Sequence, residues 1–200
     1  MKIGIMGGTF NPIHNGHIEM VEIAIDVFGL DDVMLIPTGN PPHKNSSEVI
    51  SKYERYELCL LSASKYDNIF VSSIEVDREG TTYTIETLKE LEKTYGLKDE
   101  IYFIIGGDTV LQLENWKDIK EVFSRCNFIA FGRIGMDATK IEEKIEHLKS
   151  EYGAEIGYIT ADIMDVASRD LRDMIKKGEP ISGLVPKRAE EYIHRHGLYK

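Results

Sequence analysis

The chain has 200 residues, with 24 Lys and Arg against 34 Asp and Glu for a formal charge of −10, and 42% of it is hydrophobic. That length favours one domain spanning residues 1–200 and is ample for a core without disulfide or metal staples, and the composition fits neither disorder nor a collagen-like repeat. The longest apolar runs, such as Ile101–Ile105 and Phe128–Phe131, fall far short of the ~20 residues of a membrane helix, and the acidic balance argues against a nucleic-acid surface, which needs a basic face.

The first strand is expected at Lys2–Met6. Ile18, Val21, Ile25 and Phe28 then recur at helical steps, with Gly29 as C-cap. A second strand at Val33–Pro37 leads into the loop Thr38–Ser47, whose core is Pro41-Pro42-His43-Lys44. A helix at Ser51–Ser64 precedes a strand at Ile69–Val76. Thr82 can cap a helix that carries Ile85, Leu88 and Leu91 on one face and ends near Gly96. Strands follow at Ile101–Ile105, Asn127–Phe131 and Ile156–Thr160. Helices are expected at Asp137–Ser150, Ser168–Lys176 and Lys187–His196.

Strands that alternate with helices and are too apolar for a solvated face imply an α/β fold. The expected architecture is a Rossmann-like, doubly wound parallel sheet of about six strands with helices on both faces. Ligands bind such sheets beyond the carboxyl ends of the strands, so the loops after each run carry the information. Cys59 and Cys126 lack any paired spacing and read as buried core thiols. The N-terminus has too little basic and apolar character for a secretory signal, so a cytoplasmic address is expected.

The first loop is the most informative. Gly7-Gly8-Thr9-Phe10-Asn11-Pro12-Ile13-His14-Asn15-Gly16-His17 runs from a buried strand straight into a helix. Glycines let a ligand approach the backbone, and a helix start offers N–H groups and a positive dipole end, which together suit an anion. His14 and His17 flank Gly16 where that helix begins, so both rings can face one phosphate. Zinc pairs on helices prefer His-Glu-x-x-His spacing and a third ligand, which this segment lacks. It matches neither Gly-x-Gly-x-x-Gly nor a Walker loop.

The segment resembles the signature of the HxGH nucleotidyltransferases, and nearly the whole chain is similar to the nicotinate-nucleotide adenylyltransferase family within them. The resemblance implies a single nucleotidyltransferase domain over residues 1–200. It implies an ATP site formed by Gly7, Gly8, Thr9, Phe10, His14, His17, Gly106, Asp108, Arg133, Ser168 and Arg172, with catalysis by His14, His17, Lys44 and Arg172. Lys44, Tyr83, Thr84 and Trp116 are implied at the pyridine nucleotide, where the indole would stack on the ring. The chain departs from the family pattern at Ile134, where proline is usual, at Ala167, which replaces a serine, and at Arg169, which replaces a threonine. Ser168 is expected to cap the last-but-one helix while Arg172, one turn in, reaches phosphate.

The reaction so implied is attack by a phosphate oxygen of nicotinate mononucleotide on the α-phosphorus of ATP, with pyrophosphate leaving. Mg²⁺ carried by the ATP phosphates is the implied cofactor, and no metal site built from protein side chains is expected. ATP and nicotinate mononucleotide are the expected partners, without nucleic acid or membrane, and assembly into a homo-oligomer stays open. A sister enzyme acting on pantetheine phosphate, and a module that senses nucleotides without turnover, are the alternative readings. His147, His194 and His196 read as surface residues.

Overall fold

The computed structural model describes residues 1–40, 49–95, 100–133 and 138–200, without the side chains of residues 95 and 133. Six strands occur: β1 Lys2–Gly8, β2 Asp32–Pro37, β3 Ile69–Val71, β4 Glu100–Gly106, β5 Asn127–Arg133 and β6 Ile156–Ala161. They form one sheet in the order β3-β2-β1-β4-β5-β6. The sheet is parallel, with Ile3 beside Ile101, Phe103 beside Phe128 and Ile129 beside Gly157. This is the doubly wound order expected from the alternation of strands and helices. It reverses between β1 and β4, which makes the loops after those strands the informative ones.

The helices are α1 Asn15–Phe28, α2 Lys52–Ala63, α3 Thr84–Tyr95, α4 Gly107–Val110, α5 Ile119–Phe123, α6 Ala138–Tyr152, α7 Ser168–Lys177 and α8 Lys187–His196. Gly29 ends α1 as expected: its φ is +62°, and Leu30 N–H closes onto the Ile25 carbonyl. Gly178 and Gly197 end α7 and α8 in the same left-handed conformation.

Two local expectations fail, and one stretch carried none. β3 stops at Val71 instead of reaching Val76. Ser72 Oγ accepts from Ile74 N–H and Ser73 Oγ donates to Asp77 at 2.6 Å, so these side chains bend the backbone into a turn despite the apolar pattern. Thr82 does not cap α3. The helix opens at Thr84, with Glu86 and Thr87 N–H bonding the Tyr83 carbonyl, while Thr82 Oγ1 is buried without a hydrogen-bond partner among the described residues. Finally, the stretch after β4 folds into α4, a 3-10 turn at Leu113–Asn115 and α5, all too short to leave a periodic signal.

The chain divides into two compact units. One comprises Met1–Met6, Met20–Val33 and Tyr83–Ile163. Its core joins Phe103, Ile104, Phe128 and Ile129 to Ile141, Ile145 and Leu148 of α6. Gly4 is needed there, since a Cβ would stand 2.8 Å from both Leu30 and Val33. The other unit comprises Gly7–Glu19, Met34–Thr82 and Met164–Lys200. In it α2 packs on α8 through Leu58, Cys59, Ala189 and Ile193, each at most 1% exposed. A fully buried Leu or Ile side chain contributes about 1.5–3 kcal/mol, so these faces fix the helices that flank the loops described next.

Candidate active site

The loop after β1 lies in the second unit. It is held on its own carbonyls. Gly8 C=O accepts from Thr38 N–H at 2.8 Å, Thr9 C=O from Arg55 Nη1 at 2.7 Å, Asn11 C=O from Arg172 Nη1 at 2.9 Å and Pro12 C=O from Ser168 Oγ at 2.8 Å. The Asn11–Pro12 peptide is cis, and Phe10 adopts a φ of 47°. Phe10 and Ile13 are buried and anchor the loop from below. Gly8 packs under the Phe10 ring, where a Cβ would come within 3.1 Å.

His14 and His17 come together. Their rings stack with centroids 3.6 Å apart and planes 27° off parallel, and the Phe10 ring meets His17 edge-on at 5.1 Å. His14 is 6% exposed, while His17 is half-buried. His14 backbone N–H donates to His17 Nδ1 at 3.2 Å, which puts the proton of a neutral His17 on Nε2. Two protonated rings at this separation would repel each other, a cost that a bound polyanion offsets.

Gly16 between them has a steric reason. A Cβ there would stand 2.8 Å from the Met164 carbonyl oxygen. Met164 N–H donates to Glu19 of α1 at 2.6 Å, so the segment leading to α7 is clamped to the first turns of α1. The start of α1 is less open than the sequence implies. Asn15 N–H bonds Leu184 C=O at 2.9 Å and His17 N–H bonds His14 C=O at 3.0 Å, so much of its N–H capacity is used inside the protein. Imidazole and guanidinium groups are therefore the principal polar donors around this loop.

Ser168 is not the cap of α7. Ala167 occupies that position without a side-chain bond, and Ser168, the first helical residue, spends its hydroxyl on Pro12 C=O. Arg172 follows one turn later and is half-buried, whereas Arg169 is exposed. Both candidate side chains of α7 thus grip the loop that carries the histidines. Gly7, Gly8, Thr9, Phe10, His14, His17, Ser168 and Arg172 all fall within this one unit. Lys44 lies outside the described residues.

Gly106, Asp108, Arg133, Tyr83, Thr84 and Trp116 belong to the other unit. Gly106 ends β4 facing open space, with nothing within 4 Å of where a Cβ would sit, and Asp108 is exposed. Gly107 packs tightly instead, with Ile141 2.6 Å from such a Cβ. Arg133 ends β5, and its side chain lies outside the described part. Thr84 opens α3, and the Tyr83 ring lies under Lys117 Nζ at 4.5 Å, with that ammonium also paired to Glu86 at 2.7 Å. Trp116 is half-buried, edge-on to Phe103 at 5.7 Å and to Phe128 at 6.2 Å.

The turn before Trp116 is fixed by Glu114. Its carboxylate accepts from Tyr152 Oη at 2.9 Å, meets His147 Nε2 at 3.2 Å and pairs with Lys144. Those bonds, Lys144 foremost, hold the carboxyl down at about 2. The sequence reading missed Glu114, Glu19 and Arg55. Arg55 had a legible sign: it falls in helical step with the apolar Leu58 and Cys59, and so on the buried face of α2.

Among the described residues, no three His, Cys, Asp or Glu side chains come together as a metal site, and no helix is long and apolar enough to cross a membrane. Comparison with known proteins agrees with the geometry. The cytidylyltransferase-like family matches residues 5–182. A Thermoanaerobacter sp. (strain X514) protein named "Probable nicotinate-nucleotide adenylyltransferase" is 42% identical over 200 residues, covering 100% of this chain and 95% of the relative. A protein of the same name from Moorella thermoacetica is 39% identical over 199 residues, covering 100% and 92%. The solved nicotinic acid mononucleotide adenylyltransferase of Plasmodium falciparum, complexed with NaAD, shares the fold at a TM-score of 0.77 and 17% identity, over 99% of this chain and 97% of that one. A doubly wound parallel sheet, a stacked histidine pair where the loop after its first strand enters α1 and full-length likeness at about two residues in five make this chain a member of the nicotinate-nucleotide adenylyltransferase family.

Proposed function

We propose that the chain transfers the adenylyl group of ATP to nicotinate mononucleotide, giving the deamidated dinucleotide and pyrophosphate, with His14, His17, Lys44 and Arg172 as the charge-bearing donors to the phosphates. The observation that carries the assignment is the stacked His14–His17 pair in the loop after β1. The mononucleotide phosphate is already largely dianionic at neutral pH, since its second ionisation lies near ~6, so no strong general base is required. The forming bond joins its oxygen to the α-phosphorus, and the breaking bond releases pyrophosphate with its electron pair. The protein's task is to bring two anions into line and stabilise charge on the departing group.

Gly7, Gly8, Thr9 and Phe10 shape the cradle, and Ser168 acts through Pro12 to hold it. Gly106, Asp108 and Arg133 are assigned to the adenosine end of ATP, and Tyr83, Thr84 and Trp116 to the pyridine nucleotide. Imidazole, guanidinium and hydroxyl groups suit phosphate oxygens better than a hard cation, so Mg²⁺ fits as an ion held by ATP phosphates, where it would neutralise charge on the leaving pyrophosphate. A single cytoplasmic nucleotidyltransferase domain goes with this reading.

The test is pyrophosphate release by the pure protein with ATP, Mg²⁺ and one acceptor at a time. Nicotinate mononucleotide should give the highest kcat/KM, followed by nicotinamide mononucleotide. Turnover with pantetheine phosphate alone would replace the substrate, and none with any acceptor would replace the reaction.

A further inference from the structure

Arg55 sits in the first turn of α2 yet is only 1% exposed. Arginines are almost never fully buried unless paired, and the usual partner is a carboxylate. Here the hydrogen bonds among the described residues run to neutral backbone: Nη1 to Thr9 C=O at 2.7 Å, Nη2 to Gly39 C=O at 3.0 Å and Nε to Ile50 C=O at 3.3 Å. Thr9 immediately follows β1, and Gly39 stands two residues beyond β2. One planar fork therefore fastens the loops after two strands of the sheet. Gly39 is itself wedged against Glu75, whose carbonyl oxygen would lie 2.0 Å from any Cβ, so its position cannot drift.

In a planar trans peptide the C=O and N–H point in opposite directions. By drawing Thr9 C=O toward α2, Arg55 turns Phe10 N–H the other way. Phe10 keeps a φ of 47°, a conformation that a non-glycine residue holds only when its surroundings impose it. Its ring is the one set edge-on to His17. The guanidinium also stays charged at neutral pH, although burial pushes it down from its usual range.

We propose that Arg55 is a positioning residue for adenylyl transfer: it aims the Phe10 N–H at the phosphate chain beside His17. This rests on the reaction proposed above. A lysine at 55 would keep the charge but present a point ammonium that cannot span three carbonyls.

The experiment uses the full chain, labelled with ¹⁵N, and inorganic pyrophosphate as the probe. On titration of the wild type, the Phe10 amide should show one of the largest downfield shifts. Arg55→Lys should raise the Kd for pyrophosphate and the KM for ATP by about 10-fold or more, the loss of one charge-assisted bond, while KM for the mononucleotide changes by about twofold at most. An Arg55→Lys protein that melts lower but keeps wild-type pyrophosphate affinity would overturn the proposal, because Arg55 would then serve stability alone. A Phe10 amide unmoved by saturating pyrophosphate would overturn it as well, and that measurement needs no variant to fold. Turnover of nicotinate mononucleotide by the wild type with an unmoved amide sinks this inference and leaves the reaction standing; absent turnover overturns the reaction and with it Arg55's part in adenylyl transfer, a shifted amide then showing an anion site alone.

Discussion

The loop after β1 and the turn after β4 both leave a buried strand, but different forces hold them. Around Thr9–Pro12, three side-chain grips, from Arg55, Arg172 and Ser168, each take a specific carbonyl. Around Trp116, the rings of Phe103 and Phe128 supply contact without a fixed direction, and the Glu114 carboxylate adds side-chain bonds to the preceding turn. A hydrogen-bonded loop dictates where every dipole points, as charge stabilisation requires. A packed aromatic turn only has to present a flat face, and it tolerates small shifts. Damage to the first should therefore appear in kcat or in the KM for ATP, and damage to the second in the KM for the mononucleotide.

The sharpest way to break that contrast is His17→Ala. Loss of one preorganised donor costs about 10²–10³ in turnover, roughly 2.7–4 kcal/mol, and His17 is only half-buried, so the melting temperature should barely move. A folded variant with unaltered kcat would remove the histidine from the mechanism. Gly16→Ala comes next. Its methyl would meet the Met164 carbonyl at 2.8 Å, and shifting that clamped backbone should destabilise by about 1–3 kcal/mol, read as a lower denaturation midpoint together with reduced kcat.

On the aromatic side, Trp116→Ala should raise KM for the mononucleotide by roughly 5- to 100-fold, as expected for one stacked ring worth about 1–3 kcal/mol, with the KM for ATP little changed. Equal losses for both substrates would make the indole a packing residue. Trp116 is the only tryptophan, so quenching of intrinsic fluorescence by the mononucleotide gives a second reading of the same contact.

The smallest expected effect is at Glu114. Its folded carboxyl titrates at about 2, against an ordinary 4.5, so its stabilising bonds persist above the ordinary value and are lost as pH falls from there toward 2. Melting curves of wild type and Glu114→Gln should differ at neutral pH and converge across that acidic window. A constant offset down to pH 2 would mean that the ionised carboxylate does not contribute.

Much of this contrast was legible in the residues. Six apolar runs located all six strands, because a strand buried on both faces has no other composition. The histidines stood out because two imidazoles around a glycine at a strand-to-helix turn have little use except to meet a ligand. The failures share a cause. Ser168 looked like a cap and proved to serve Pro12, residues 156 positions apart in the chain. The run to Val76 looked like strand, but serine side chains close to the backbone outweighed its apolar pattern. Arg55 drew no reading: its helical step with Leu58 and Cys59 marks it for burial, but nothing local announces that the carbonyls of Thr9 and Gly39 converge on it. Propensity is local, and the satisfaction of buried polar groups is not.

The two sulfur atoms of the cysteines carry a practical consequence. Cys59 is fully buried and Cys126 is 5% exposed, and burial drives both thiols up, Cys126 to about 12, so neither furnishes appreciable thiolate at neutral pH. Maleimide dyes should pass over the native protein, and a cysteine placed at a solvent-facing position such as Val27, 61% exposed, would take a fluorophore on an otherwise unaltered background.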